Sequence, residues 1–235
     1  MIKPARFLNV LFPSKCPVCG NKSDSHIHNP ICSACWNGIM PFDGYSCNIC
    51  GRPGVSPHIL HCEQCTKERP LFEKILYYGI YDGALREAIH LLKFNGVKRL
   101  AAPLALLLNE LPLPSTDAIV PVPLSKKNLL NRGFNQTADI AHHLSKKLKI
   151  PLMINALKKT RETLPQTDVS GKERLKNLKG AFAADDCVRG FDLLLLDDVV
   201  TTGATVSECS RELLKKGAKS VMVIAVARSM PKDAS

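Results

Sequence analysis

The period of the apolar positions changes several times along the chain, and each change marks an element. Leu193, Leu194, Leu195 and Leu196 follow Asp192 with no period, as in a strand buried on both faces of a parallel sheet. Two carboxylates come next, Asp197 and Asp198, then Thr201, Thr202, Gly203, Ala204 and Thr205. From Thr205 the period turns helical: Val206, Cys209, Leu213 and Leu214 share a face, and Gly217 stops the run. The stretch predicts strand, loop and helix, with the loop at the carboxyl end of a strand, where open α/β sheets bind ligands. Upstream, alternation predicts a strand over 72–81, and Leu85, Ile89 and Leu92 mark a helix over 84–94. A further helix is expected over 100–111 and a second buried strand over 117–122. A loop rich in Lys and Asn follows, then an amphipathic helix over 135–148 and a strand beginning at 151–154. Strands alternating with helices predict parallel βα units.

Eight of the ten cysteines fall into four Cys-x-x-Cys pairs: Cys16/Cys19, Cys32/Cys35, Cys47/Cys50 and Cys62/Cys65. Two sulfurs two residues apart share one Zn2+ on a tight turn, and two such turns complete a tetrahedron. Gly20 and Gly51 follow the second cysteine of their pairs, as in knuckle turns. A disulfide framework needs an oxidising compartment, and the short apolar run at 7–12 reads as a packing arm rather than a signal peptide. Four regular copies also argue against a redox pair. The expectation is two structural zinc ions, with 16–35 and 47–65 as two copies of one ribbon. Interleaved pairing of the knuckles stays open. His26, His28, His58 and His61 are read as surface or packing residues. Arg69-Pro70 closes the region, giving a ribbon unit over 1–70 and an α/β domain over 71–235.

The loop after the leucine strand has its own chemistry. A helix N-terminus offers free N–H groups and a positive dipole end, which suit a phosphate. Gly203 lets the backbone come close, and the threonines add hydroxyl donors. Adjacent carboxylates accept hydrogen bonds from a diol or face a hydrated Mg2+. Together these point to a ribose 5-phosphate; the plainer reading is a buried strand with threonine caps.

The stretch closely resembles the phosphoribosyl pyrophosphate (PRPP) loop of type I phosphoribosyltransferases. The resemblance implies that Asp197 and Asp198 hold the ribose hydroxyls, and that Thr201, Thr202, Gly203, Ala204 and Thr205 hold the 5-phosphate, with Mg2+ accompanying PRPP. Purine-salvage members carry Asp where this chain has Thr201, so no loop carboxylate is left to take a proton from a nucleobase. The wider layout is similar to the competence protein F (ComF) family. It comprises four knuckles, Lys93-Phe94-Asn95-Gly96, Val120-Pro121-Val122-Pro123, Arg132-Gly133-Phe134-Asn135-Gln136 and the final acidic loop. That resemblance implies a type I phosphoribosyltransferase-like parallel sheet domain behind a small zinc-ribbon domain. It places Arg132 near the pyrophosphate, and implies a role in single-stranded DNA uptake alongside a helicase.

Composition bounds the remaining readings. At 235 residues and 45% hydrophobic, the chain is globular, and no apolar run approaches the roughly 20 residues of a membrane span. The expected place is the cytoplasm. A net charge of +11 favours phosphorylated or polyanionic ligands, though solubility alone would also explain it. Lys126, Lys127 and Arg132 form one basic group. Lys172, Arg174, Lys176 and Lys179 form another, in a polar stretch over 164–179 read either as a basic lid or as a solvated helix. Aromatics are only 6%, so single-stranded DNA would be held weakly, through phosphates and without sequence preference. Two functions remain: a PRPP-binding protein of DNA uptake, or an active phosphoribosyltransferase with an unknown acceptor and no direct DNA role.

Overall fold

The computed structural model describes residues 14–25, 28–162 and 177–230. The arm at 7–12, His26, and Lys172, Arg174 and Lys176 of the 164–179 stretch lie outside the described residues. The main sheet has four parallel strands in the order β1 (Ile75–Ile80), β6 (Ser220–Arg228), β5 (Asp192–Val200) and β2 (Ala118–Pro121). β5 is the predicted leucine strand, and Leu193 to Leu196 are fully buried against β6 and β2. It runs further than the apolar run suggests, so that Asp197 and Asp198 are strand residues rather than loop residues.

Helices cover both faces. On one lie α3 (Gly83–Asn95), α4 (Ala101–Asn109) and α6 (Gln136–Leu148), which bury Ile89, Leu92, Leu104, Leu108, Ile140 and Leu144 against Leu194, Leu196, Ile224 and Val226. On the other lies α7 (Ala204–Lys215), which buries Val206, Cys209 and Leu213 against Leu193, Leu195 and Val223. Gly217 has φ +90°, the left-handed conformation its place after the helix requires.

Two expectations are corrected. The Lys- and Asn-rich stretch after β2 is a short helix, α5 (Lys126–Arg132), and not a loop. It buries no residue, so it carries no apolar period. Its ends are set instead by the Ser125 hydroxyl, which accepts from the Asn128 N–H, and by the left-handed Gly133. The strand expected at 151–154 makes only a single parallel bridge, between Leu152 and Ile119. The chain then forms β3 (Leu157–Lys159), which pairs antiparallel with β4 (Phe182–Ala184) in a separate small sheet. The βα alternation is therefore interrupted after α6.

The ribbons grip the edge strand β1. Two short helices, α1 (Ser33–Asn37) and α2 (Glu63–Lys67), carry the second knuckle of each ribbon. Cys16, Ile31, Cys32 and Trp36 join the core on the α3 face, and Cys47, Ile49, Cys62 and Cys65 join it on the α7 face. The linker's Phe42 N–H donates to the Tyr78 carbonyl at 2.7 Å, and the Ile75 N–H donates to the Ile49 carbonyl at 2.8 Å. Hydrogen-bonding groups on the outer side of an edge strand are thus paired internally, which removes a template for aggregation. No helix among the described residues is long and apolar enough to cross a membrane.

Candidate functional site

Each set of four sulfurs is gathered in sequence order. The Sγ atoms of Cys16, Cys19, Cys32 and Cys35 lie within 4.8 Å of one another, and so do those of Cys47, Cys50, Cys62 and Cys65. A tetrahedron with Zn–S bonds of about 2.3 Å has sulfur–sulfur edges of about 3.8 Å. The Cys19–Cys32 separation is 3.7 Å and the Cys50–Cys62 separation 3.6 Å, so both sites fit zinc. Sequential pairing holds, not the interleaved alternative. Burial alone would raise the Cys16 thiol, yet backbone hydrogen bonds from Cys32, Cys19 and Val18 bring its pKa down to about 6. The knuckle turns aim their N–H groups at the sulfur and favour thiolate, the form that binds metal. No histidine joins either cluster among the described residues. His28 stacks on Trp36 at 4.1 Å, while His58 and His61 are exposed.

The second site forms where β5 ends. Side chains alternate along a strand, so neighbouring carboxylates face opposite sides of the sheet. Asp198 faces α3 and α6. Its Oδ1 accepts from Lys93 Nζ at 2.7 Å, and its Oδ2 accepts from Gln136 Nε2. Gln136 Oε1 in turn accepts from Arg132 Nη1, and the Arg132 guanidinium lies over the Phe94 ring at 5.2 Å. Asp197 lies on the side of Cys209 on α7, and its Oδ1 accepts the Asp198 N–H at 2.9 Å. Burial, with the Asp198 charge beside it, pushes the Asp197 carboxyl up to about 7, and Lys93 opposes the shift. Burial pulls the Lys93 ammonium down, but the Asp198 and Asp197 carboxylates raise it above the ordinary lysine value on balance.

The loop that follows turns through Gly203, at φ +84°, into α7. Thr202 Oγ1 accepts the Ala204 N–H at 3.3 Å, and the Gly203 carbonyl accepts the Ser207 N–H at 2.9 Å. Thr201 and Thr202 are exposed, and Gly203 and Ala204 are buried beneath them. A twelve-residue helix therefore points its N-terminus at the edge where the two carboxylates end β5. The end of β2 belongs to the same edge. The Thr137 hydroxyl and the Asn135 amide both donate to the Val122 carbonyl, tying the start of α6 to the Val-Pro-Val-Pro turn.

The structure thus gathers Arg132 with Asp198, and sets Asp197 and Asp198 at the end of the strand whose loop carries Thr201, Thr202, Gly203, Ala204 and Thr205. Two members of the cluster received no role from the sequence. Lys93 lies 105 residues before Asp198, and Gln136 lies 62 before it. Local spacing carries no signal at those separations. Lys93 is in the last turn of α3, where a lysine also reads as an ordinary dipole partner. Lys126 and Lys127 are exposed on α5, just upstream of Arg132.

The double zinc ribbon domain family matches residues 7–66. The DNA utilization protein YhgH of Escherichia coli strain K12 is 35% identical over 213 residues, covering 86% of this chain and 92% of that protein. Competence protein F of Haemophilus influenzae is 33% identical over 232 residues, covering 93% of this chain and 98% of that protein. Among solved structures, the glutamine PRPP amidotransferase from B. subtilis is 19% identical with a TM-score of 0.37, covering 60% of this chain and 26% of that one. A likeness at that level bears on neither substrate nor reaction.

Elemental analysis of the purified chain is expected to give two zinc ions, and replacing Cys187 or Cys209 by Ser should leave that number unchanged. A second outcome follows from the buried acid pair. The folded chain keeps a proton on Asp197 up to about pH 7, whereas the unfolded chain releases it near pH 4. Stability therefore falls as pH rises through that window. Lys93→Met removes the compensating cation and should steepen the fall. Urea denaturation is expected to show a loss of about 3–5 kcal/mol at pH 8 and a smaller loss at pH 5.

Proposed function

The chain belongs to the family of competence protein F and DNA utilization protein YhgH, and on that premise we propose that it binds PRPP with Mg2+ at the end of β5 and serves in the handling of single-stranded DNA. One observation carries the reading: a buried acid pair and the glycine-led N-terminus of a twelve-residue helix meet at one sheet edge. Asp197 and Asp198 take the ribose 2- and 3-hydroxyls. Thr201, Thr202, Gly203, Ala204 and Thr205 take the 5-phosphate through backbone N–H groups and hydroxyls. Arg132 lies on the pyrophosphate side. Both Asp198 oxygens already have donors in Lys93 and Gln136, so the diol must share or displace them. Carboxylate and hydroxyl oxygens suit Mg2+, which supplies charge neutralisation on the pyrophosphate. Residues 1–70 are the ribbon unit of this reading and 71–235 its phosphoribosyltransferase-like domain. The place of action is the cytoplasm, with a helicase as partner.

Calorimetry tests the site. Replacing Asp197 and Asp198 together by Asn should abolish the heat of Mg2+-PRPP binding while zinc content and fold persist. Unchanged affinity refutes the assignment. In the unaltered chain, affinity should rise as pH increases through about 7, because a protonated Asp197 adds no charge to attract Mg2+. The single variant Asp197→Asn should flatten that rise.

Salt titrations test the DNA contact. Each phosphate contact releases counterions, so log affinity for single-stranded DNA falls nearly linearly with log salt. Lys126→Ala with Lys127→Ala is expected to lower the slope by about 1 to 2. Absence of binding even at low salt would leave the basic excess as a matter of solubility.

A further inference from the structure

Arg228, the last residue of β6, is only 3% exposed, and its Nε and Nη1 have no hydrogen-bond partner among the described residues. A buried guanidinium without partners is costly, so a compensating anion is required nearby. Among the described residues no carboxylate forms an ion pair with it, and the charges that act on it most are those of Cys50, Tyr77, Arg52 and Cys62. The second ribbon reaches this place across β1. The Ile49 carbonyl accepts the Ile75 N–H, and a Cβ on Gly51 would lie 2.9 Å from the Tyr77 ring. β1 in turn pairs with β6 in parallel, with Ile80 opposite Arg228. Four thiolates around one Zn2+ leave two net negative charges, which an unpartnered guanidinium can balance.

We infer that Arg228 is the cation that balances the zinc site of Cys47, Cys50, Cys62 and Cys65 from outside its ligand shell. The inference rests on zinc occupying that site and is independent of PRPP. It ties the second ribbon to the end of β6. Arg228 is opposite Val200 in β5, and the Ser229 N–H donates to the Val200 carbonyl at 3.0 Å. Val200 directly precedes Thr201, so the end of β6 and the loop before α7 are neighbours.

A chelator challenge with thiol alkylation and peptide mapping tests the pairing on the full chain. In Arg228→Met, the zinc of Cys47, Cys50, Cys62 and Cys65 should be released, and these thiols alkylated, about ten- to a hundredfold faster than in the unaltered chain. The zinc of Cys16, Cys19, Cys32 and Cys35 should leave at its original rate. Arg228→Lys should restore most of the retention, because it keeps the charge. Unchanged release in Arg228→Met overturns the inference. So does equal acceleration at both sites, which marks general loss of fold, and so does failure of lysine to rescue. A starting zinc content below two per chain also overturns it, and identifies the zinc reading, rather than the charge pairing, as the fault.

Discussion

Two carboxylates held out of water at the end of a central strand are the constraint that organises the carboxyl edge of this protein. Asp197 and Asp198 are adjacent on β5 and point in alternate directions, and Lys93 hydrogen-bonds only Asp198 while its charge acts on both. Lys93 meets Asp198 from α3, and Gln136 completes it from α6. Asp197 is left with a backbone N–H and a pKa near neutrality. Breaking such a buried pair costs about 3–5 kcal/mol, whereas a hydrophobic replacement is often neutral. Stability alone therefore does not account for the carboxylates. The proposed ligand, whose hydroxyls and cation would meet them, supplies the missing reason.

The zinc ribbons belong to the same mechanical unit. One ribbon adds to the core on the α3 face and the other to the core on the α7 face, so β1 is clamped between them. A sheet of four strands has two edges, and this one closes an edge with cysteine knuckles rather than with another strand. Arg99 fastens the first ribbon further, donating to the Asn29 carbonyl at 2.6 Å and to its side chain at 3.0 Å. Metal loss would therefore be felt in the sheet, and not in an appendage alone.

What the sequence disclosed follows from range. The leucine run of β5, the helical period of α7 and the spacing of the cysteine pairs are local patterns, and each appears where it was expected. The boundary of β5 was harder, because an acid pair reads as loop until burial on both faces shows it as strand. Helix α5 was missed for a physical reason: it is held by a serine cap and a glycine end, with no buried face to give it a period. The antiparallel β3–β4 pair depends on two segments far apart in the chain. So does the Lys93–Asp198 ion pair, the most consequential contact of the site, and no motif spacing records it.

The most direct test of the account is a crystal structure of the chain with Mg2+ and PRPP. The account predicts the 5-phosphate on the N–H groups at the start of α7, the ribose hydroxyls against Asp197 and Asp198, and the Lys93 contact to Asp198 lengthened or shared. PRPP bound elsewhere, or an unliganded edge at saturating PRPP with the Lys93–Asp198 pair intact, would contradict it.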